Sequence, residues 1–99
     1  MLVLQYTFTR PNTSVNFYSA TGDASVVSAI NAAIESGDIV SMSSNVSQNN
    51  LVMTKNIGFS NEAALTRVNS NYVLKSNKQA RTAYNNANGI TELVATGTV

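Results

Sequence analysis

The sequence contains no cysteine, no histidine and no tryptophan among its 99 residues. Without cysteine the chain forms neither a disulfide bond nor a thiolate metal site. Without histidine it lacks the side chain most often used as a general base near neutral pH and as a ligand to zinc or haem iron. These absences exclude the usual zinc sites, histidine-ligated haem and most hydrolases. We expect no metal and no cofactor.

Charge is also scarce. Only 11% of the residues are charged, against a usual value of about 25%, and the net charge is +1. Such a balance provides little electrostatic attraction toward nucleic acid or an anionic membrane. Neutral polar residues take the place of charges, since the chain holds 14 asparagines, 12 serines and 10 threonines.

Long hydrophobic runs are missing as well. The longest apolar runs are three or four residues, whereas a membrane span needs about 20. The first residues do not show the basic stretch and apolar core of a signal peptide. We therefore expect one domain over residues 1–99, located in the cytoplasm (of the host cell if the protein is viral). A virion component would have the same features.

Hydrophobic periodicity predicts six segments. Alternation of apolar and polar residues predicts a strand at 2–9. Residues 39–46 and 51–59 predict a hairpin, with Val40, Met42 and Val46 on one face of its first strand, and a last strand follows at 90–96. A 3.6-residue period predicts a helix at 24–36, with Asp23 as its N-cap. A second helix, capped by Ser60, follows from 60 to about 87, with a break at 69–71, where two asparagines flank a serine. The order βαββαβ is that of the ferredoxin-like α+β fold, a four-stranded antiparallel sheet with two helices on one face.

The predicted core lies between this sheet and the helices. It combines inward strand positions with the apolar stripe of each helix. The residues expected to be buried are Leu4, Phe8, Ile30, Ile34, Met53, Ile57, Leu65 and Tyr84.

The opposite face of the sheet carries threonine, serine, asparagine and valine with almost no charge. A weakly polar, uncharged face suits burial against a second face of the same kind. We therefore predict a homodimer that pairs through sheet faces, although a solvated face remains the alternative. The predicted interface residues are Val3, Gln5, Thr7, Val52 and Thr54.

Short stretches at both ends of the sequence carry a resemblance. The segment order, the divided second helix and residues 84–90 (YNNANGI) resemble the dimeric ferredoxin-like, or dimeric α+β barrel, superfamily, which includes antibiotic-biosynthesis monooxygenase-like proteins. Residues 6–11 (YTFTRP) and 81–85 resemble small uncharacterised proteins of marine tailed phages and marine metagenomes. The resemblance implies a dimer with facing sheets and no assigned activity. Histidine-dependent branches of the superfamily are excluded.

Cofactor-free oxygenases of that superfamily use polar and aromatic residues in a pocket between sheet and helices. This implies a small-ligand site formed by Tyr6, Arg10, Phe17, Tyr18 and Lys55. No side chain stands out as a nucleophile with an adjacent base, so we predict no catalytic residue. Lys75, Lys78 and Arg81 recur every three residues on the last helix and predict a solvated basic face.

Lys55 is the one basic residue that is predicted to lie on the inward side of the sheet. Its alternation places it with Met53 and Ile57 on the inward side of its strand. There it must reach the rim, pair with an acid or lower its pKa. We expect it to reach the rim. If it is instead buried, unpaired and open to a cavity, it becomes a candidate general base or Schiff-base lysine.

Three functional hypotheses follow. The main one is a non-catalytic homodimer that serves as a viral accessory or interaction protein. The alternative is a cofactor-free oxygenase- or isomerase-like enzyme, or a small-ligand binder, of the dimeric α+β barrel type. A further alternative is an RNA-binding or virion-structural protein. RNA binding is disfavoured because the open sheet face lacks the aromatic platform of RNA-recognition modules. A cavity of a few hundred Å³ with convergent polar groups would favour the enzyme.

Overall fold

The computed structural model describes residues 1–99 and confirms the ferredoxin-like architecture. Four antiparallel strands form one sheet in the order β2-β3-β1-β4. The elements are β1 (Leu2–Thr9), α1 (Ala24–Glu35), β2 (Ile39–Val46), β3 (Val52–Phe59), α2 (Glu62–Ser70), α3 (Tyr72–Ala87) and β4 (Thr91–Thr98). None of the three helices combines the length and apolar character needed to cross a membrane.

Local capping explains where the helices begin. Asp23 caps α1 as predicted, since its Oδ1 accepts the backbone N–H groups of Ser25 and Val26 at 3.0 and 3.3 Å. Asn61 caps α2, not the predicted Ser60, because its Oδ1 accepts the N–H of Ala64 at 2.9 Å. Asparagine is an equally good cap one residue later.

The predicted break in the second helix is real. Asn71 adopts an extended backbone, with φ −62° and ψ 124°, so the α-helical path is interrupted there. Its backbone N–H bonds to the carbonyl of Val68, and its side-chain oxygen accepts the N–H of Leu74 at 3.1 Å. One residue therefore ends α2 and caps α3.

The strand alternation in β1 is confirmed. Leu4, Tyr6 and Phe8 are buried on the helix-facing side. In β2 the predicted alternation is wrong at Val40. The register with β3 shifts between Ile39 and Ser41, so this bulge buries Ile39 and leaves Val40 51% exposed.

The core is smaller than the sequence predicts. Only 10 of the 99 residues are buried. Of the eight residues predicted to be buried, Leu4 and Phe8 are buried. Five others are half-buried, namely Ile30, Met53, Ile57, Leu65 and Tyr84. Residues outside the predicted set complete the core. The buried hydrophobic cluster comprises Leu4, Tyr6, Phe8, Ile39, Phe59, Ala64 and Ile90.

The prediction that Ile34 is buried is wrong, since 46% of it is exposed. Helix α1 directs Val26, Ile30 and Ala33 toward the sheet, whereas Ile34 lies seven residues after the exposed Val27 on the uncovered flank. Residues seven apart share one side of a helix, so α1 is rotated slightly away from the predicted stripe.

Residues 10–22 connect β1 to α1 and are packed down onto the helices. Val15 and Phe17 lie against the core cluster. The Tyr18 hydroxyl donates to Asn77 Oδ1 at 2.9 Å, and the Tyr84 hydroxyl donates to the Asn16 carbonyl at 2.6 Å. Two tyrosines thus fasten this connection to α3.

Candidate active site between the sheet and the helices

Two adjoining cavities separate the helices from the sheet. The larger has a volume of about 680 Å³, and the smaller, beneath the 10–22 connection, about 460 Å³. Both volumes lie within the usual range for small-molecule sites. The residues that line both cavities are Ile30, Met42, Lys55, Asn77 and Arg81.

The walls of the cavities are mostly apolar. Leu4, Ile57 and Phe59 line the larger cavity, and Phe17 and Met53 line the smaller one. No aspartate or glutamate lines either cavity. An organic ligand of moderate size would therefore meet hydrocarbon over much of its surface, together with amide, hydroxyl and cationic side chains.

Lys55 lies at the centre of this space. On the helix-facing side of the sheet it stands between Tyr6 of β1 and Ser44 of β2. The residue is half-buried, and its side chain makes neither a hydrogen bond nor an ion pair with any other residue. Burial lowers the pKa of Lys55, and the nearby positive charge of Arg81 lowers it further.

Arg81 of α3 lies over the stacked rings of Tyr6 and Phe8. Its guanidinium carbon is 4.6 Å from the centroid of the Tyr6 ring and 5.5 Å from that of Phe8. Its Nε donates to Glu92 Oε1 at 3.0 Å, and the same oxygen accepts the side-chain amide of Asn85 at 3.1 Å. The Arg81 Nη2 atom is buried and has no hydrogen-bond partner.

The sequence-based assignment of Arg81 to a solvated face is therefore wrong. Lys75 and Lys78 are exposed, but only 15% of the Arg81 side chain is. Glu92, which pairs with Phe8 across β1 and β4, is the acid that draws it inward. The available signal was the alternation of β4, which places Glu92 on the same side as Val94.

The predicted ligand residues are only partly brought together. Tyr6 and Lys55 line the larger cavity, and Phe17, Tyr18 and Lys55 line the smaller one. Arg10 lies outside both. Its Nε donates to the Asn50 carbonyl at 2.7 Å and its Nη1 to the Val15 carbonyl at 3.0 Å, while its guanidinium covers the Phe17 ring. Arg10 thus supports the wall behind Phe17.

No three acidic side chains converge where they could hold a metal ion. Asp38 is paired instead with Arg67 on the surface at 2.7 Å. The hydrogen bond from Arg67 lowers the pKa of Asp38. Neither residue of this pair lines a cavity.

The open face of the sheet is free of charge. Strand pairing places Val3, Gln5 and Thr7 on it beside Thr54 and Leu93. Leu93 is 62% exposed there, and the amide of Gln5 donates to Asn56 Oδ1 at 3.1 Å. A large, uncharged and partly apolar sheet face is thus left without a cover.

Comparison with known proteins identifies the fold. No protein-family model matches the sequence, and no curated protein matches it significantly. Among solved structures, SnoaB, a cofactor-independent oxygenase from Streptomyces nogalater, superposes with a TM-score of 0.66 at 13% identity, over 99% of this chain and 91% of that one. A putative antibiotic biosynthesis monooxygenase from Deinococcus radiodurans superposes with a TM-score of 0.58 at 8% identity, over 100% and 92%.

Protein SO0527 from Shewanella oneidensis superposes with a TM-score of 0.53 at 12% identity, over 97% of this chain and 88% of that one. The chain has the ferredoxin-like fold of these proteins. The resemblance to the dimeric α+β barrel group is therefore confirmed at the level of fold. None of these structures supports an origin in marine phages.

The main functional prediction, a non-catalytic viral accessory or interaction protein, is contradicted by these neighbours. Two of them are an oxygenase and a putative monooxygenase, and they favour the alternative of a cofactor-free oxygenase-like enzyme.

Proposed function

We propose that the protein is a cofactor-free oxygenase-like enzyme that binds an oxidisable organic substrate in the two cavities. The observation that carries this proposal is the unpaired, half-buried Lys55 side chain, which lines both mostly apolar cavities together with Arg81. The fold similarity to a cofactor-independent oxygenase supports it.

An oxygenase that uses no cofactor must take its electrons from the substrate. A substrate anion, such as an enolate or phenolate, is electron-rich enough to react with oxygen. Neutral Lys55 is suited to remove the proton that creates this anion, because a lowered pKa places more of the amine in its basic form near neutral pH. The charge of Arg81 would stabilise the oxyanion that results.

The overall reaction balances without an external reductant. A CH₂ group of the substrate becomes a carbonyl and supplies four electrons to one molecule of oxygen. One oxygen atom is bonded to carbon, and the other leaves as water with the two hydrogens. Lys55 takes up the first proton and returns it as the water is formed.

Oxygen uptake with anthrone tests the proposal, since anthrone enolises and its CH₂ can become the carbonyl of anthraquinone. We expect uptake above the uncatalysed rate, and incorporation of one heavy-isotope oxygen atom from labelled gas. Lys55→Met should lower the rate by roughly 10²–10⁴-fold, the usual contribution of a general base. Arg67→Met removes a cation from the surface pair with Asp38, which does not line either cavity, and it should leave the rate unchanged.

Two results would contradict the oxygenase proposal. The first is uptake by the wild type that does not exceed the uncatalysed rate with anthrone or with a dihydroxynaphthalene. The second is a folded Lys55→Met variant with the wild-type rate. Melting curves of both variants establish that the compared proteins are folded.

We also propose that two chains pair through their open sheet faces, burying more than about 1,000 Å² in total. Thr7→Glu puts a carboxylate into the centre of that face on each chain, where like charges would lie close together and without water. We expect light scattering to show a dimer for the wild type and a monomer or aggregate for Thr7→Glu. Ser28→Glu, on the exposed side of α1, should remain a dimer. A wild type that is monomeric at high micromolar concentration would contradict this interface.

A further inference from the structure

Lys55 and Arg81 form an unusual pair of like charges. Both line both cavities, and they are close enough for the charge of Arg81 to act on Lys55. Arg81 is partly neutralised on its Nε side by Glu92, whereas Lys55 has no acidic partner. The arrangement therefore holds an amine with nothing bound to it and a guanidinium that is hydrogen-bonded only through Nε.

We propose that Lys55 is also a nucleophile, which forms an imine with the carbonyl group of a small oxo acid whose carboxylate is held by Arg81. This activity goes beyond the proposed oxygenation, since it requires no oxygen. It assigns a second chemical role to the same side chain and names the class of molecule that the site would accept.

The surroundings of Lys55 favour a neutral amine. A lysine becomes nucleophilic when it is desolvated or placed beside another cation, and both conditions hold here. The charged and titratable groups that face the cavities are Arg81, Lys75 and Lys78 on α3, Tyr6 on β1 and Tyr18 in the connection. No carboxylate among them would hold Lys55 in its protonated form.

The carboxylate preference comes from Arg81. Of its three nitrogens only Nε has a hydrogen-bond partner, and the side chain lines both cavities. Guanidinium groups bind carboxylates with short, charge-assisted hydrogen bonds. A ligand that carries a carbonyl and a carboxylate a few atoms apart would meet Lys55 and Arg81 together, while a neutral ketone would meet only Lys55.

The proposed step is balanced. The nitrogen lone pair of Lys55 attacks the carbonyl carbon, forming a C–N bond, and a proton moves from nitrogen to oxygen. A further proton, supplied by solvent water, joins the hydroxyl group as the C–O bond breaks, so that water leaves, an iminium ion remains and nothing is oxidised or reduced. The iminium withdraws electrons from the neighbouring carbon, where a proton could then be released. Hydrolysis by water regenerates the lysine.

Reductive trapping tests this role. The full-length protein is incubated without oxygen at neutral pH with pyruvate and cyanoborohydride, and the adduct is located by intact mass and peptide mapping. We expect the main reduced adduct at Lys55, because burial and the charge of Arg81 lower the pKa of its amine. Lys75, Lys78 and the terminal amine of Met1 act as internal references. Acetone should give at least tenfold less adduct than pyruvate.

Two variants separate the parts of the proposal. Lys55→Met should abolish the specific adduct. Arg81→Lys keeps a cation near Glu92 but loses the planar guanidinium, so it should lower trapping of pyruvate about tenfold more than trapping of acetone. Labelling spread over all the lysines, or an equal yield with pyruvate and acetone from the wild type, would overturn the proposal.

The trapping result is independent of the oxygenase proposal. A wild type that traps pyruvate at Lys55 but consumes no oxygen with anthrone would support the imine site and refute the oxygenase. Oxygen uptake that depends on Lys55, without any adduct, would refute the imine site alone.

Discussion

Replacing Phe59 with alanine will lower the free energy of unfolding by about 3–5 kcal/mol, the usual cost of removing a buried aromatic ring. Phe59 is the most deeply buried large side chain, with 2% exposed. It pairs with Leu2 and Ile39 on the neighbouring strands and belongs to the same cluster as Ala64. Since small domains are stable by only about 5–15 kcal/mol, this loss would remove a large part of the total free energy of unfolding.

Chemical unfolding followed by circular dichroism measures this effect. Ile34→Ala is the matched control, because Ile34 is 46% exposed and its truncation should cost less than about 1 kcal/mol. Ile30→Ala, at a half-buried position beside the cavities, should fall between the two. Equal losses for Phe59→Ala and Ile34→Ala would show that the core is not where the structure places it.

The fold was predictable because its signals are local. The alternation of residues 2–9, the cap at Asp23 and the break at Asn71 are each determined by neighbouring residues. The bulge that exposes Val40 was not predictable, because it depends on the register between β2 and β3. The exposure of Ile34 likewise follows from how α1 lies on the sheet, which the 3.6-residue period does not determine.

The site was predictable only in part. Alternation along β3 placed Lys55 on the inward side, but whether it would meet a partner depended on the spacing between helices and sheet. Arg81 was misplaced because three basic residues at three-residue spacing resemble a solvated face. Its true position depends on Glu92, eleven residues later and on another element.

The lack of histidine led to the wrong functional prediction. It excludes the commonest acid–base and metal chemistry, and these exclusions still hold for the sequence. It does not exclude reactions in which the substrate supplies the electrons and a desolvated lysine supplies the base. The absence of histidine therefore limits which side chains can act as acid or base, but it does not make catalysis impossible.

Removing one partner of the ion pair between Arg81 and Glu92 should be strongly destabilising, because the other charge is left without its partner. Replacing Glu92 with alanine leaves the Arg81 guanidinium against the Tyr6 and Phe8 rings without its acid. Breaking a buried pair in this way costs about 3–5 kcal/mol. Because 15% and 19% of these side chains are exposed, water screens part of the charge, and we expect about 2–3 kcal/mol.

A pair of further variants tests whether this loss arises from the stranded charge. Glu92→Gln keeps an oxygen that accepts from Arg81 Nε but removes the negative charge, so it should cost only about 1 kcal/mol less than Glu92→Ala, the value of a single hydrogen bond. The double variant Arg81→Met/Glu92→Met removes both charges and fills the space with apolar atoms. It should recover most of the stability lost in Glu92→Ala, because apolar replacement of a buried pair is often neutral. Urea unfolding provides the comparison. If the double variant is instead less stable than Glu92→Ala, the cation–aromatic contacts of Arg81 outweigh the ion pair, and the stranded charge is not the cause.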